Sequence, residues 1–268
     1  MATILFIATA LLYATAGTLY LVHLSRGGES LERWAARALV ASVVSHGAVL
    51  AADLLLSGTG LAGNIRQTLV VLSLLIPTGY LVQMRRGRLP VLGAFITPIT
   101  LLFFLGAGLR EGVSRIPPGL HRAMLYLHIG ASTLGTVLFA LAFAVALGYI
   151  IQERLLRSRR IGGLFNRLPA LDLLDDLGLR LVTLGFPLFT LGIVAGSIWA
   201  VKLQAGALLT WSPHGFAVLA WLFFAGVLLT RVTMGWRGRR AAVGTILGFA
   251  CAATTLLGYL LAGILLLA

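Results

Sequence analysis

Residues 197–224 read SIWAVKLQAGALLTWSPHGFAVLAWLFF. A short connection carrying Trp211, Pro213 and His214 joins two apolar runs, and Trp199 precedes it. A helix that crosses a bilayer needs about 17–25 predominantly apolar residues. Both flanks reach that length, over 180–201 and 214–230. The stretch therefore reads as the end of one span, a turn at a membrane surface, and the start of the next.

Six further segments qualify by the same criterion: 2–22, 37–57, 67–84, 89–109, 123–150 and 241–267. The composition agrees, with 59% hydrophobic and 11% charged residues in 268 and a mean hydropathy of +0.98. Soluble domains carry about 25% charged residues, so water could not solvate this surface. Only helices or closed barrels satisfy their backbone in lipid. A barrel needs stretches of alternating polarity about 10 residues long, and none occurs. The expected fold is an all-α integral membrane protein, an eight-transmembrane-helix bundle forming a single domain over 1–268. The first segment lacks the positive leading region of a signal peptide and reads as a retained span.

Twenty-one Lys and Arg stand against eight Asp and Glu, a net charge of +13. The cations lie in the gaps between apolar runs, where they meet lipid headgroups, and no basic aromatic domain exists to hold nucleic acid. Sixteen arginines occupy the first, third, fifth and seventh connections, and five basic residues occupy the others. The positive-inside rule then places those four connections in the cytoplasm and both termini on the outer side of the membrane. The longest connection contains LPALDLLDDLGLR, Leu168–Arg180. Its spacing predicts a short amphipathic helix lying on the inner membrane surface.

Ionisable groups inside spans are candidates for function. His46 falls near the middle of the second span and admits two readings: an imidazole hydrogen-bonded to a neighbouring helix, or a ligand. Asp53, nearer the outer end, is expected to be solvated or paired with Arg66. His128, near the outer end of the fifth span, and His214, opening the seventh, share a membrane depth by topology alone. Neutral imidazoles ligate haem iron, and Trp199 and Trp211 on the same side could wall a porphyrin. The plainer alternative is an interfacial Trp belt with histidines at helix ends.

His23 and His121 read as interfacial and exposed. The lone Cys251 excludes an internal disulfide and any CxxC motif in this chain. Pro77, Pro98 and Pro187 lie within spans. Gly130, Gly135, Gly192 and Gly196 suit close helix packing, or room for a flat ligand. No compact zinc-ligand spacing and no nucleophile–base pair appears, and Ser132 and Thr133 form no triad.

Four pieces near the C-terminal end carry a resemblance: GSIWA (196–200), TWSPHG (210–215), AWLFFAGVLLTR (220–231) and GWRGRR (235–240). With His128 in LHIGASTLG (127–135), the chain resembles the cytochrome c assembly protein family, the CcsA/CcmC-type haem handlers. Eight spans and a histidine in the second make it most similar to the short YpjD/HemX-like branch. The resemblance implies haem as cofactor, held at the outer face by His128 and His214 beside Trp199 and Trp211, with His46 a possible deeper ligand. It also implies a non-catalytic role, in haem transfer or regulation, with a cytochrome c maturation component as partner.

Two departures stand out. The family's W-D-P is Trp211-Ser212-Pro213 here, and two family histidines are missing, from 220–231 and from the closing GYLLAGILLLA (258–268). They keep open a non-haem protein of the same fold that binds and regulates another membrane protein. A small-solute transporter is a weaker alternative, because no internal repeat is evident.

Overall fold

The computed structural model describes residues 2–57, 64–87, 89–109, 122–159, 162–202 and 213–265. Eight long helices carry the fold: α1 (Ala2–Arg26), α2 (Glu29–Ser57), α3 (Ile65–Gly87), α4 (Gly93–Gly108), α5 (Arg122–Arg157), α6 (Leu171–Lys202), α7 (Pro213–Met234) and α8 (Arg239–Leu265). All eight are long and apolar enough to cross a membrane, and no strand occurs among the described residues. Each apolar segment of the sequence centres on one helix, and the lead-in to α4, Pro90–Leu92, forms a single 3₁₀ turn. Pro77, Pro98 and Pro187 sit inside α3, α4 and α6 without ending them.

The helices pack as two antiparallel rings of four. In the first ring α1 packs on α2 and α4, and α3 on α2 and α4. The second repeats this order, with α5 on α6 and α8, and α7 on α6 and α8. The rings meet where α5 packs on α3 and α4. At 36 residues α5 is about 54 Å long, well beyond the roughly 30 Å of a hydrocarbon core. The excess of α5 and α6 carries Glu153, Asp172, Asp175 and Asp176 at the arginine-rich end.

Small residues set the α5–α6 distance. A methyl group at Gly135 would lie 2.8 Å from the Phe189 backbone nitrogen, and one at Gly185 would lie 2.8 Å from the Phe139 ring. Gly178, Gly185 and Gly192 recur every seventh residue, so they stay on one face of α6. Gly130, by contrast, faces open space.

Leu168–Arg180 departs from the expected surface helix. From Leu171 onward it is the first part of α6 itself, continuous with the span. Leu174, Leu177 and Leu181 are buried against the bundle instead of facing lipid headgroups. Asp175 faces inward too, and is satisfied there. It takes both guanidinium nitrogens of Arg231, at 3.0 and 2.9 Å, the Gly238 N–H at 2.8 Å and Arg237 at 3.3 Å. An amphipathic stripe fits a membrane surface and a helix packed on partners equally well, and here the partners of Asp175 decide.

The α5–α6 connection also reaches the first ring. Arg167 donates to the carbonyl oxygens of Leu24 and Arg26, at 2.9 and 2.8 Å, where α1 ends. A cation on the last carbonyls of a helix complements its dipole. Gly27, at φ 75°, permits the approach, since a methyl group there would lie 2.8 Å from Arg167 Nε.

The Asp175–Arg231 pair is nearly sealed, with side chains 8% and 13% exposed. Removing one partner leaves an uncompensated buried charge. Asp175→Ala should therefore lower stability by about 3–5 kcal/mol, and Asp175→Leu combined with Arg231→Met should recover most of it. Thermal unfolding in detergent checks both. Equal losses in the single and double variants would show that the pair does not hold the turn.

Candidate functional site

At the end opposite the arginine-rich connections, α5 begins, α6 ends and α7 begins. His128 lies near the start of α5, half-buried. Its Nδ1 is 2.6 Å from the carbonyl oxygen of Gly192 on α6. A carbonyl can only accept, so Nδ1 carries the proton, and in the neutral form of the ring the lone pair then lies on Nε2. This is the arrangement found for metal-ligating histidines, whose other nitrogen donates to a carbonyl or carboxylate. The ring rests over a gap in α6, where a methyl group at Gly196 would lie 2.5 Å from Nδ1.

His214 is the second residue of α7, after Pro213, a residue favoured in the first turn of a helix. Two contacts fix the register of α7. The rings of Phe139 on α5 and Phe224 on α7 stack with centroids 3.5 Å apart. The indole Nε1 of Trp221 donates to Thr190 Oγ1 on α6 at 2.9 Å. His128 precedes Phe139 by about 16 Å of helix and His214 precedes Phe224 by about 15 Å, at 1.5 Å per residue. Helices α5 and α7 run in the same direction, so the two histidine positions lie level. Counting outward from the Thr190–Trp221 bond brings Ser197 on α6 to the same level as His214. Trp199 follows in the last turn of α6. Trp211 lies outside the described residues.

Below this level an aromatic layer closes the bundle. Phe139 meets Phe189 edge-on at 5.3 Å and Phe186 lies 5.5 Å from Trp221. These residues, with Thr190 and the Gly192 carbonyl, were not singled out by the sequence reading. Trp221 offered one signal: it stands seven residues after His214, on the same stripe of α7.

His46 is in the other ring and fully buried. The Tyr13 hydroxyl on α1 lies 3.0 Å from its Nδ1, and Phe104 on α4 packs edge-on at 4.4 Å. Its Nε2 makes no well-formed hydrogen bond among the described residues. The bond to a neighbouring helix is one of the two expected readings of His46. Asp53 pairs with Arg66 at 2.9 Å. His23, in the last turn of α1, is buried there, with Nδ1 3.2 Å from the Gly28 carbonyl oxygen. His121 lies outside the described residues. A cavity of about 30 Å³ opens far from the histidines, between α5, α6, α7 and α8 beside Asp175 and Arg231, large enough for a water molecule.

These features define a polytopic helical membrane protein with a histidine-bearing site at one end of its second ring. The chain belongs to the cytochrome C assembly protein family, whose sequence profile matches residues 4–267. Among curated proteins it is similar to the cytochrome c biogenesis protein CcsA of several cyanobacteria. With that of Synechococcus sp. (strain JA-2-3B'a(2-13)) it shares 44% identity over 86 residues, 32% of this chain and 24% of the relative. With that of Trichodesmium erythraeum it shares 41% over 99 residues, 37% of this chain and 28% of the relative. With that of Prochlorococcus marinus (strain MIT 9301) it shares 29% over 235 residues, 78% and 75% of the two chains. The first two matches thus span about a quarter of those relatives' length. No solved structure matches the chain.

Trp221→Phe keeps a ring against Phe186 and removes only the bond to Thr190. It should lower stability by about 0.5–1.5 kcal/mol, and Thr190→Val should cost the same without adding to it. A double-mutant cycle on thermal unfolding tests this, and strict additivity would refute the bond.

Proposed function

We propose that this protein handles haem in cytochrome c maturation, holding it at the outer face of a bacterial inner membrane for transfer or regulation. In this reading the arginine-rich end is cytoplasmic and both termini lie outside, in keeping with the bias of basic residues between the two sets of connections. His128 and His214 would hold the iron, and Trp199 and Trp211 would supply aromatic walls for the porphyrin. Haem would supply an iron for ligation and a porphyrin body matched by apolar and aromatic walls.

The observation that carries the reading is the hydrogen bond from His128 Nδ1 to Gly192 O. In the neutral ring it leaves the Nε2 lone pair available, which is what ligation of iron would require. Further support comes from the common level of His128 and His214, and from the family, whose relatives are named for cytochrome c biogenesis. His46, buried in the other ring between Tyr13 and Phe104, would ligate only through a separate, deeper site. The recipient is a cytochrome c maturation component or another membrane protein. Ser212, where the family carries an acidic residue, favours a second reading, in which the same fold binds and regulates a membrane protein without haem.

A reduced-minus-oxidised absorption spectrum of the detergent-purified protein separates the two. A Soret band is expected in the wild type, lost or shifted in both His128→Ala and His214→Ala. A wild type that stays colourless after haem titration would overturn the haem reading and leave a stable complex without haem as the object to seek. For orientation, single cysteines at Gly28 and Ser212 in a Cys251→Ser background should label differently in intact cells. An impermeant maleimide should reach the cysteine at 212 and not that at 28, and the reverse pattern would invert the topology.

A further inference from the structure

We infer that Gly196, the glycine of GSIWA, is a positioning residue that seats the His128 imidazole on α6 and thereby selects which ring nitrogen the protein presents. The inference rests on the haem reading only for what Nε2 is presented to. The seat itself belongs to the chain without any ligand.

Glycines four apart on a membrane helix ordinarily let two backbones approach, and Gly192 fits that account. A methyl group there would collide first with the Ser132 Oγ and would lie 2.8 Å from the backbone nitrogen and 3.0 Å from the Cα of the same residue, so Gly192 sets how closely α5 and α6 pack. Gly196, one turn further along, does something else. The three atoms nearest a methyl group at Gly196 all belong to the His128 ring: Nδ1 at 2.5 Å, Cε1 at 2.6 Å and Cγ at 3.3 Å. Its missing side chain leaves a slot shaped by the imidazole rather than by a helix backbone. With the ring in that slot, Nδ1 reaches the Gly192 carbonyl at 2.6 Å.

The hydrogen bond made by one ring nitrogen decides the state of the other. A ring pushed out of the slot loses the carbonyl, and with it the preference for a proton on Nδ1. Donation to a carbonyl also raises the basicity of Nε2 and fixes the ring's orientation, both of which matter to a metal. Trp199 follows Gly196 by three residues, so one turn of α6 both seats the ligand and starts the tryptophan-bearing connection.

The seat can be tested on the full chain in detergent, without haem, labelled with ¹⁵N-histidine and kept about two units above the ordinary histidine value of ~6.5. His128→Gln identifies the His128 signals. In the wild type Nδ1 of His128 should be protonated and Nε2 bare, and Gly196→Ala should lose that pattern and give a mixture of tautomers. A double-mutant cycle removes the merely structural explanation. Gly196→Ala should lower the melting temperature by about 4 °C in the wild type and by little in a His128→Ala background. If Gly196→Ala alone does not fold, recovery of folding in the double variant is the expected result.

A wild-type His128 protonated on Nε2, or equal losses in the two backgrounds, would overturn the inference. Adding haem to the same samples keeps it distinct from the functional reading. A seated His128 that takes up no haem sustains the seat and sinks haem handling, whereas haem uptake by a protein whose His128 is unseated does the reverse.

Discussion

The close approach of α5 and α6 is the constraint on which the rest of the second ring depends. Lipid offers no hydrophobic drive for helices to associate, so they are held by packing and by the few polar bonds that packing brings into range. Gly135, Gly185 and Gly192 let the two backbones meet with almost nothing between them. That closeness puts a backbone carbonyl of α6 within reach of a histidine on α5. It also fixes the face from which Thr190 meets Trp221 of α7. A larger residue in the seam would disturb the helix pair, the imidazole and the aromatic layer beneath it together.

The two ends of the second ring are built differently. At the arginine-rich end the helices are pinned by charge, with Asp175 drawing together Arg231, Arg237 and the start of α8. Glu153 pairs with Arg157 at 2.8 Å on the same face. Arg167 carries the connection across to α1 and ties the rings. At the opposite end the described residues are held by small-residue packing, a single indole–hydroxyl bond and stacked rings.

Much of this was legible beforehand, for reasons that can be named residue by residue. Runs of about 20 apolar residues can only be spans, so the eight helices followed from length and composition. The pairing of Asp53 with Arg66 was one of the two outcomes their placement at neighbouring helix ends allowed, solvation being the other. The level of His128 and His214 followed from the alternation of the helices. The fate of Leu168–Arg180 did not, because the same periodicity serves a helix on a surface and a helix packed on partners. His46 stayed ambiguous because a mid-span histidine is compatible with a neighbour's hydroxyl or with a ligand, and periodicity cannot name Tyr13 as its partner.

By itself, then, the sequence determined that the chain has eight segments long and apolar enough to cross a membrane, which ends of those helices carry most of the cations, and that the positions of His128 and His214 lie level at the other end. These are properties of local composition and of strict alternation across a bilayer, and both are one-dimensional. Only the tertiary structure decided which atoms meet. It placed His46 apart from His128, turned Asp175 inward, and set an imidazole over the bare Cα of Gly196. Those outcomes depend on the rotation of each helix about its own axis, and that rotation is settled by the fit of side chains between helices.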